Sequence, residues 1–324
     1  MRQSQFKALM ASLGKLTSKQ AVELIEGLTG HVERLTSFQT IESVKPKGCP
    51  HCASPLFTKN GSANGLQRYR CKSCLGSFGS ISNTALSHLK RKDRFEAFGK
   101  CLSEGLSVRE SAKRLGVSVS TAFRWRHRFL QAVTAHQPVL MSGIVELDET
   151  YFRRSQKGAK KGLTRPPRKR GGGKGTGSGR KTADWVAVLV GRTRGHSHTV
   201  DAVMPAVTTA EVEKVLRSRI DPSETLVCCD GHSAFSTIET GLGVTTKICT
   251  ASYKTPGADP LYHLQTTNNY HERLKTWINR DLRGVATKYL SNYLAWMRML
   301  AWEKEGLQPR EFILSAMGKQ VINT

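Results

Sequence analysis

The sequence predicts an α/β protein in which a mixed-sheet domain follows a small cysteine-bearing ribbon and a helix-turn-helix. Three observations carry that prediction. Two Cys-x-x-Cys pairs, Cys49 with Cys52 and Cys71 with Cys74, stand eighteen residues apart. The stretch LSVRESAKRLGVSVSTAFRWRHRFL has helix–glycine–helix grammar. From residue 143 onward, short apolar strands alternate with helices, which indicates a mixed sheet rather than a uniform βαβ array.

Composition narrows the partner. The 324 residues make about two folding units, and 38% hydrophobic residues suffice for real cores. Lys and Arg number 50 against 25 Asp and Glu, a net charge of +25. Such an excess repels itself in the folded state, so it points to a polyanionic partner, nucleic acid before an acidic membrane face. No apolar run approaches the roughly 20 residues of a spanning helix, and MRQSQFK does not read as a secretory signal. A cytoplasmic protein with no membrane association is expected. Eight cysteines without an export signal are then metal ligands or reduced thiols.

Residues 1–44 read as a helical segment, with Ser18 as a candidate N-cap and Ala21, Leu24, Ile25 and Leu28 on one face. Residues 45–82 read as a zinc ribbon. Each Cys-x-x-Cys places two thiolates on a tight turn, and Cys49, Cys52, Cys71 and Cys74 together make a tetrahedral S4 site for structural Zn²⁺. Phe57, Leu66 and Tyr69 form its small core, with Phe78 just beyond. Cys101, Cys228, Cys229 and Cys249 read as ordinary buried thiols.

Residues 88–135 hold the helix-turn-helix. Ser107 caps the first helix, Gly116 allows the left-handed turn, and Ser118 caps the second helix, whose Ala122, Trp125 and Phe129 point inward. Its other face offers Ser120, Thr121, Arg124, Arg126 and Arg128 to a major groove, with Thr121 and Arg124 as base-edge candidates.

The α/β domain spans 141–304, and 305–324 is a tail. Its interruption at 153–182 carries twelve Lys or Arg and no acid around GGGKGTGSG, too polar to bury a core. A phosphate loop is rejected there, because Arg180 stands where the second glycine is required. The segment reads as a basic loop that meets a phosphate backbone, through Arg168, Lys169 and Arg170 among others. The final helix, TKYLSNYLAWMRMLAWEKEG, is apolar nearly all round. Its stripe of Leu290, Leu294 and Met297 packs on the sheet, and that of Tyr289, Tyr293 and Trp296 is left for a partner subunit.

Acidic residues interrupt two apolar strands. IVELDETYF carries Glu146, Asp148 and Glu149; period two puts Glu146 and Asp148 on one face and Glu149 on the other. Asp230 ends TLVCCD before Gly231, where it either binds a metal in a cleft or caps the helix that begins at Ser233. A helix, TTNNYHERLKTWINRDLRG, sets Asn268, His271, Glu272 and Lys275 on one polar stripe. A hard Mg²⁺ or Mn²⁺ takes oxygen from two aspartates plus one carboxamide or carboxylate.

The ordered combination resembles a bacterial insertion-sequence transposase of the DDE, RNase H-like type. More narrowly it is similar to the branch with an N-terminal zinc ribbon in which Asn replaces the third acid and Lys follows one heptad later. LDETYF, CCDGH, NNYHERLKTW and RGVATKYLSNYLAW carry the resemblance, which extends from about 45 to 300. It implies an RNase H-like sheet, with Asp148, Asp230 and Asn268 as ligands of catalytic Mg²⁺ or Mn²⁺ and Lys275 as a phosphate-contacting or base-type residue. Glu272, on the same stripe, is the alternative third acid. It also implies double-stranded DNA as partner, both terminal inverted repeats and target, and a homo-oligomer on DNA. A DNA-binding transcription regulator, a related nuclease and a degenerate, inactive relative are the competing readings.

Overall fold

The structure, a computed structural model, describes residues 2–134, 140–159, 161–164, 184–195, 198–249, 261–302 and 308–319. The chain divides into two compact units, residues 1–125 with 308–319 and residues 126–307.

The first unit opens with α1 (Gln3–Ser12) and α2 (Ser18–Ser43). Thr17 rather than Ser18 caps α2. Its hydroxyl accepts from Gln20 N at 3.3 Å while Gln20 Oε1 accepts from Thr17 N at 3.0 Å, a reciprocal box that needs Gln three residues on. The C-terminal end of α2 is anchored, because buried Ser37 donates to Lys92 O and accepts from Glu96 N. The ribbon follows as β1 (Phe57–Ala63), β2 (Leu66–Cys71) and β3 (Ser77–Gly79), one strand more than the sequence pattern suggests. Asn64 and Gly65 both have positive φ in the two-residue β1–β2 turn, a conformation that Asn-Gly tolerates best. Phe57, Tyr69 and Phe78 pack with ring centroids 5.3–5.7 Å apart beside Cys49 and Cys71. Leu66 is buried but lies outside this cluster.

Next come α3 (Phe95–Ser103), α4 (Val108–Leu115) and α5 (Val119–Val133). Ser107 makes the capping box with Glu110, and Gly116 sits at φ +61°. Trp125 of α5 meets Phe95 and Phe98 edge-on.

The second unit is built on a five-stranded sheet of β4 (Met141–Arg153), β5 (Trp185–Thr193), β6 (Thr199–Met204), β7 (Ile220–Cys229) and β8 (Thr245–Ile248). Its order is β6-β5-β4-β7-β8. β4, β5 and β6 form an antiparallel meander, while β7 and β8 run parallel to β4. This is the mixed RNase H-like sheet that the sequence leads one to expect. One face is covered by α6 (Thr209–Leu216), α7 (Ser233–Ser236) and α8 (Ile238–Leu242) through Leu216, Phe235 and Ile238. The other is covered by α9 (Gln265–Thr276) and α10 (Leu290–Trp302) through Tyr270, Leu274, Leu290 and Leu294. Both faces of β5 are therefore dry, Ala187 and Leu189 on one side and Val186, Val188 and Val190 on the other, which explains its unbroken apolar run.

Two expectations are corrected here. The long helix after Thr266 breaks into a π-turn at Trp277–Asp281, a register change common near functional sites. The second apolar stripe of α10 is covered within its own unit: Trp277 meets Trp296 at 4.9 Å, the Arg126 guanidinium lies 4.7 Å over the Trp296 ring, and His127 stacks on Tyr289. Among the described residues, Tyr293 and Trp296 of that stripe are buried and turn no face to a partner subunit.

The segment expected as a tail contains α11 (Pro309–Ala316), whose Phe312 and Ile313 are fully buried in the first unit against α3. Gly99 of α3 is required by that contact, since a Cβ there would stand 2.9 Å from the Pro309 carbonyl carbon. Gly99→Ala is expected to cost roughly 1–3 kcal/mol, read as a lower melting temperature for the first unit with an unchanged second transition.

Candidate active site and metal centres

The parallel register of β4 and β7 pairs Leu147 with Cys229. The next residue on each strand is an aspartate, so Asp148 and Asp230 end up side by side on neighbouring strands about 4.8 Å apart. Past Cys229 β7 is finished, and β4 borders an open lip there. Around that lip the longer arm of Glu149 reaches its neighbours, and the carboxylate oxygens of Asp148, Glu149 and Asp230 lie within 4.8 Å of one another. Period two alone sets Glu149 on the other face; the signal for it was the end of the neighbouring strand, which a single strand's alternation does not contain.

Asp230 does not cap the following helix. His232 does so, its Nδ1 accepting from Ala234 N at 3.2 Å, while Asp230 accepts from His232 N at 3.0 Å. A second Asp230 oxygen stays available to the cluster. Burial, then the Glu149 charge beside it, pushes the Asp148 carboxyl up to about 7, against the pull of Lys275. Glu149 is raised for the same reasons, with Asp230 as the neighbouring charge. Clustered carboxylates of this kind fit a hard divalent cation, which accepts several oxygens and cancels their repulsion.

The polar stripe of α9 faces this cluster. His271 is buried with Nδ1 3.6 Å from Asp148 Oδ2, and burial lowers it to about 3, so it is neutral at physiological pH. Lys275, one turn on, is close enough to depress both Asp148 and His271. Asn268, one turn earlier on the stripe, is exposed. Glu272 is exposed too; it accepts from Thr276 Oγ1 at 3.4 Å and stands apart from the acid cluster.

Glu146 does something the sequence did not suggest. Fully buried, it accepts from the amides of Thr266 and Thr267 at 2.8 and 3.0 Å and from Thr266 Oγ1 at 2.9 Å, and it pairs with Arg194 at 2.9 Å. An anion on free N-terminal amides is a favourable helix cap. It fixes the start of α9 two residues along the strand from Asp148, and so sets where the α9 stripe meets the acids.

In the ribbon, Cys49 Sγ lies 3.6 Å from Cys74 Sγ, and Cys52 Sγ the same distance from Cys71 Sγ. Four thiolates about 2.3 Å from one Zn²⁺ stand roughly 3.8 Å apart, so the set fits zinc. The Cys74 amide, followed by that of Ser73, draws the Cys71 thiol down to about 6. Burial pushes Cys228 and Cys229 up to about 12, which leaves both as unreactive thiols.

On the helix-turn-helix, Ser120 and Arg124 are exposed and Thr121 is half-buried, its hydroxyl 2.9 Å from Ser118 Oγ. Thr121 and Arg124 border a cleft of about 400 Å³ with His88, Lys90 and Arg91. Arg128 is half-buried. Arg126 is a correction: it is 1% exposed, lodged over Trp296, and so cannot face a groove. Only one side of α5 was assigned a core, and α10 occupies the side on which Arg126 falls. Arg168, Lys169 and Arg170 lie outside the described residues.

With this geometry in hand, comparison with known proteins gives two family matches. Residues 140–299 match the ISXO2-like transposase domain and residues 88–132 the homeodomain-like domain. No curated protein matches in sequence. Among solved structures, the chain is similar to the catalytic core domain of BIV integrase at 14% identity, TM-score 0.29, covering 54% of this chain and 95% of that one. A simian T-cell lymphotropic virus intasome in complex with PP2A regulatory subunit B56 gamma matches at 11% identity, TM-score 0.31, covering 70% and 76%. A pre-cleavage Mos1 transpososome matches at 13% identity, TM-score 0.21, covering 70% and 80%. Among the described residues no helix is long and apolar enough to cross a membrane.

Two measurements test the centres. A group whose pKa rises on folding from 3.8 to about 7 lowers stability as pH climbs through that window, and the loss is complete above it. In chelator at pH 8, Asp148→Asn should therefore raise the melting temperature by about 5 °C; the gain should shrink towards pH 4, and no gain at pH 8 would contradict the burial argument. For the ribbon, metal analysis should find one zinc per chain, and Cys71→Ser should release it.

Proposed function

This chain is of the DDE transposase type, through its ISXO2-like transposase domain at residues 140–299, and from that premise we propose that it is a metal-dependent polynucleotidyl transferase that cuts and joins DNA at the ends of an insertion sequence. The observation that carries the reading is the meeting of Asp148, Glu149 and Asp230 within 4.8 Å at the lip of a sheet, in a chain otherwise charged +25. An acidic pocket set in a cationic protein suits a cation at the reacting phosphate, with the surrounding charge holding the rest of the polyanion.

Asp148 and Asp230 hold Mg²⁺ or Mn²⁺, joined by Asn268 through its neutral carbonyl oxygen and by the Glu149 carboxylate on the open side. The bound ion supplies Lewis-acid polarisation of the scissile phosphate and of the attacking water. His271, neutral and buried, packs against Asp148 from behind and fixes the orientation of its carboxylate. Lys275 places an ammonium against the non-bridging oxygens of the phosphate. In cleavage, the water oxygen bonds to phosphorus as the 3′ oxygen of the element end leaves. In joining, that 3′-hydroxyl attacks a target phosphodiester, whose own 3′ oxygen leaves, so no covalent protein intermediate forms.

The remaining parts hold DNA. The helix-turn-helix grips the terminal inverted repeats through Ser120, Thr121, Arg124 and Arg128, and the zinc-filled ribbon steadies that grip. The basic 153–182 segment, including Arg168, Lys169 and Arg170, contacts phosphates, and the protein acts in the cytoplasm as a homo-oligomer on DNA.

The test uses a duplex carrying the inverted repeats that bracket the gene. Asp148→Ala and Asp230→Ala should each slow Mg²⁺-dependent cleavage by about a thousand-fold or more while leaving duplex binding near wild type; wild-type cleavage by either variant ends the proposal. Among the remaining positions, Asn268→Ala and Glu149→Gln should lose far more activity than Glu272→Ala, whose carboxylate stands apart from the acid cluster.

A further inference from the structure

The first thirty-five residues play no part in the reading above, yet their helices display an apolar face. On α2, Ile25, Leu28, Val32 and Leu35 are 63%, 52%, 57% and 43% exposed. Their spacing is three, four, three, and Ala21 stands four residues ahead. This is a heptad seam with β-branched Ile25 and Val32 at the a positions and Leu28 and Leu35 at the d positions. That assignment of residue types favours two parallel strands over three or four.

We propose that α2 is the seam of a parallel, in-register coiled coil with a second copy of this chain. Charge supports a copy as the occupant. A +25 chain repels its own kind, but α2 is a part of it that leans acidic, with Glu23, Glu26, Glu33 and Glu42 against Lys19 and Arg34. Between 21 and 36 no Asp, Glu, Lys or Arg falls on a, d, e or g, so like charges do not face each other across the two-fold. Exposure supports it as well: the four seam side chains stand 43–63% exposed in one aligned apolar stripe, which marks a protein interaction site.

Helix stability points the same way. Gly27 and Gly30 lie inside α2, and a Cβ at either would meet nothing within 4 Å. They serve no close contact and only weaken a lone helix, which is marginal in water without packing. The partner helix supplies that packing, while Ser37 and Ile41 tie the other end of α2 into the first unit.

The test is sedimentation equilibrium of the full chain, freed of nucleic acid. Wild type should sediment with the mass of two chains. Ile25→Glu with Val32→Glu should weaken the dimer by about a hundred-fold or more, as should Ile25→Lys with Val32→Lys; bound zinc and melting temperature of the second unit should stay unchanged. An equimolar mixture of the Glu and Lys variants should recover the dimer, because a positions meet a positions in this register; that recovery also excludes misfolding as the cause of the loss. A monomeric wild type, whether α1 folds back onto the seam or a different protein covers it, overturns the proposal. So does a variant that dimerises alone, or a mixture that stays monomeric.

Discussion

Carboxylates gathered within 4.8 Å repel one another, and the second unit is arranged around keeping them together. The restraint is backbone hydrogen bonding. The register of β4 against β7 sets Asp148 beside Asp230 whatever their charges prefer, and both faces of β4 are packed, so the strand cannot slip to relieve the repulsion. Burial first, and the neighbouring Glu149 and Asp230 charges after it, hold the Asp148 carboxyl near 7. Strain of this kind, maintained by the surrounding structure, is how a cation site is kept ready before the cation arrives.

A second restraint brings the helix to the acids. Glu146 sits in the same strand as Asp148, but it binds backbone amides where its neighbour is left for the site. One strand thereby supplies part of the acid cluster and the clamp for the helix that faces it. The buried Asp201–Arg298 ion pair and the Tyr270 hydroxyl, 3.3 Å from Asp201, join β6, α9 and α10 behind that arrangement. A helix hung on its first turn and pinned along its apolar side can hold Asn268, His271 and Lys275 steady against the acids.

Features written in local spacing were legible in the sequence. The paired cysteines, the Ser107 cap, the Gly116 turn, the strand pattern from 143 and the stripe on α9 each depend on residues within one or two turns. What escaped reading depends on neighbours distant in the chain. Glu149 joins the acids because β7 stops at Cys229. Arg126 is buried because α10 takes up a side of α5 that no nearby residue marks as covered. His232 rather than Asp230 caps its helix because the strand end has already turned Asp230 towards Asp148. The same limit hid Glu146, a buried charge whose partners lie 48 and 120 residues away.

The central claim is that Asp148 and Asp230 share a divalent ion. Anomalous diffraction from a crystal of the full chain equilibrated with Mn²⁺ tests it most directly. A peak within about 2.0–2.3 Å of an oxygen from each aspartate, absent when Asp230 is changed to alanine, is the expected result. No peak between them at saturating Mn²⁺, or one held by other residues, would contradict it.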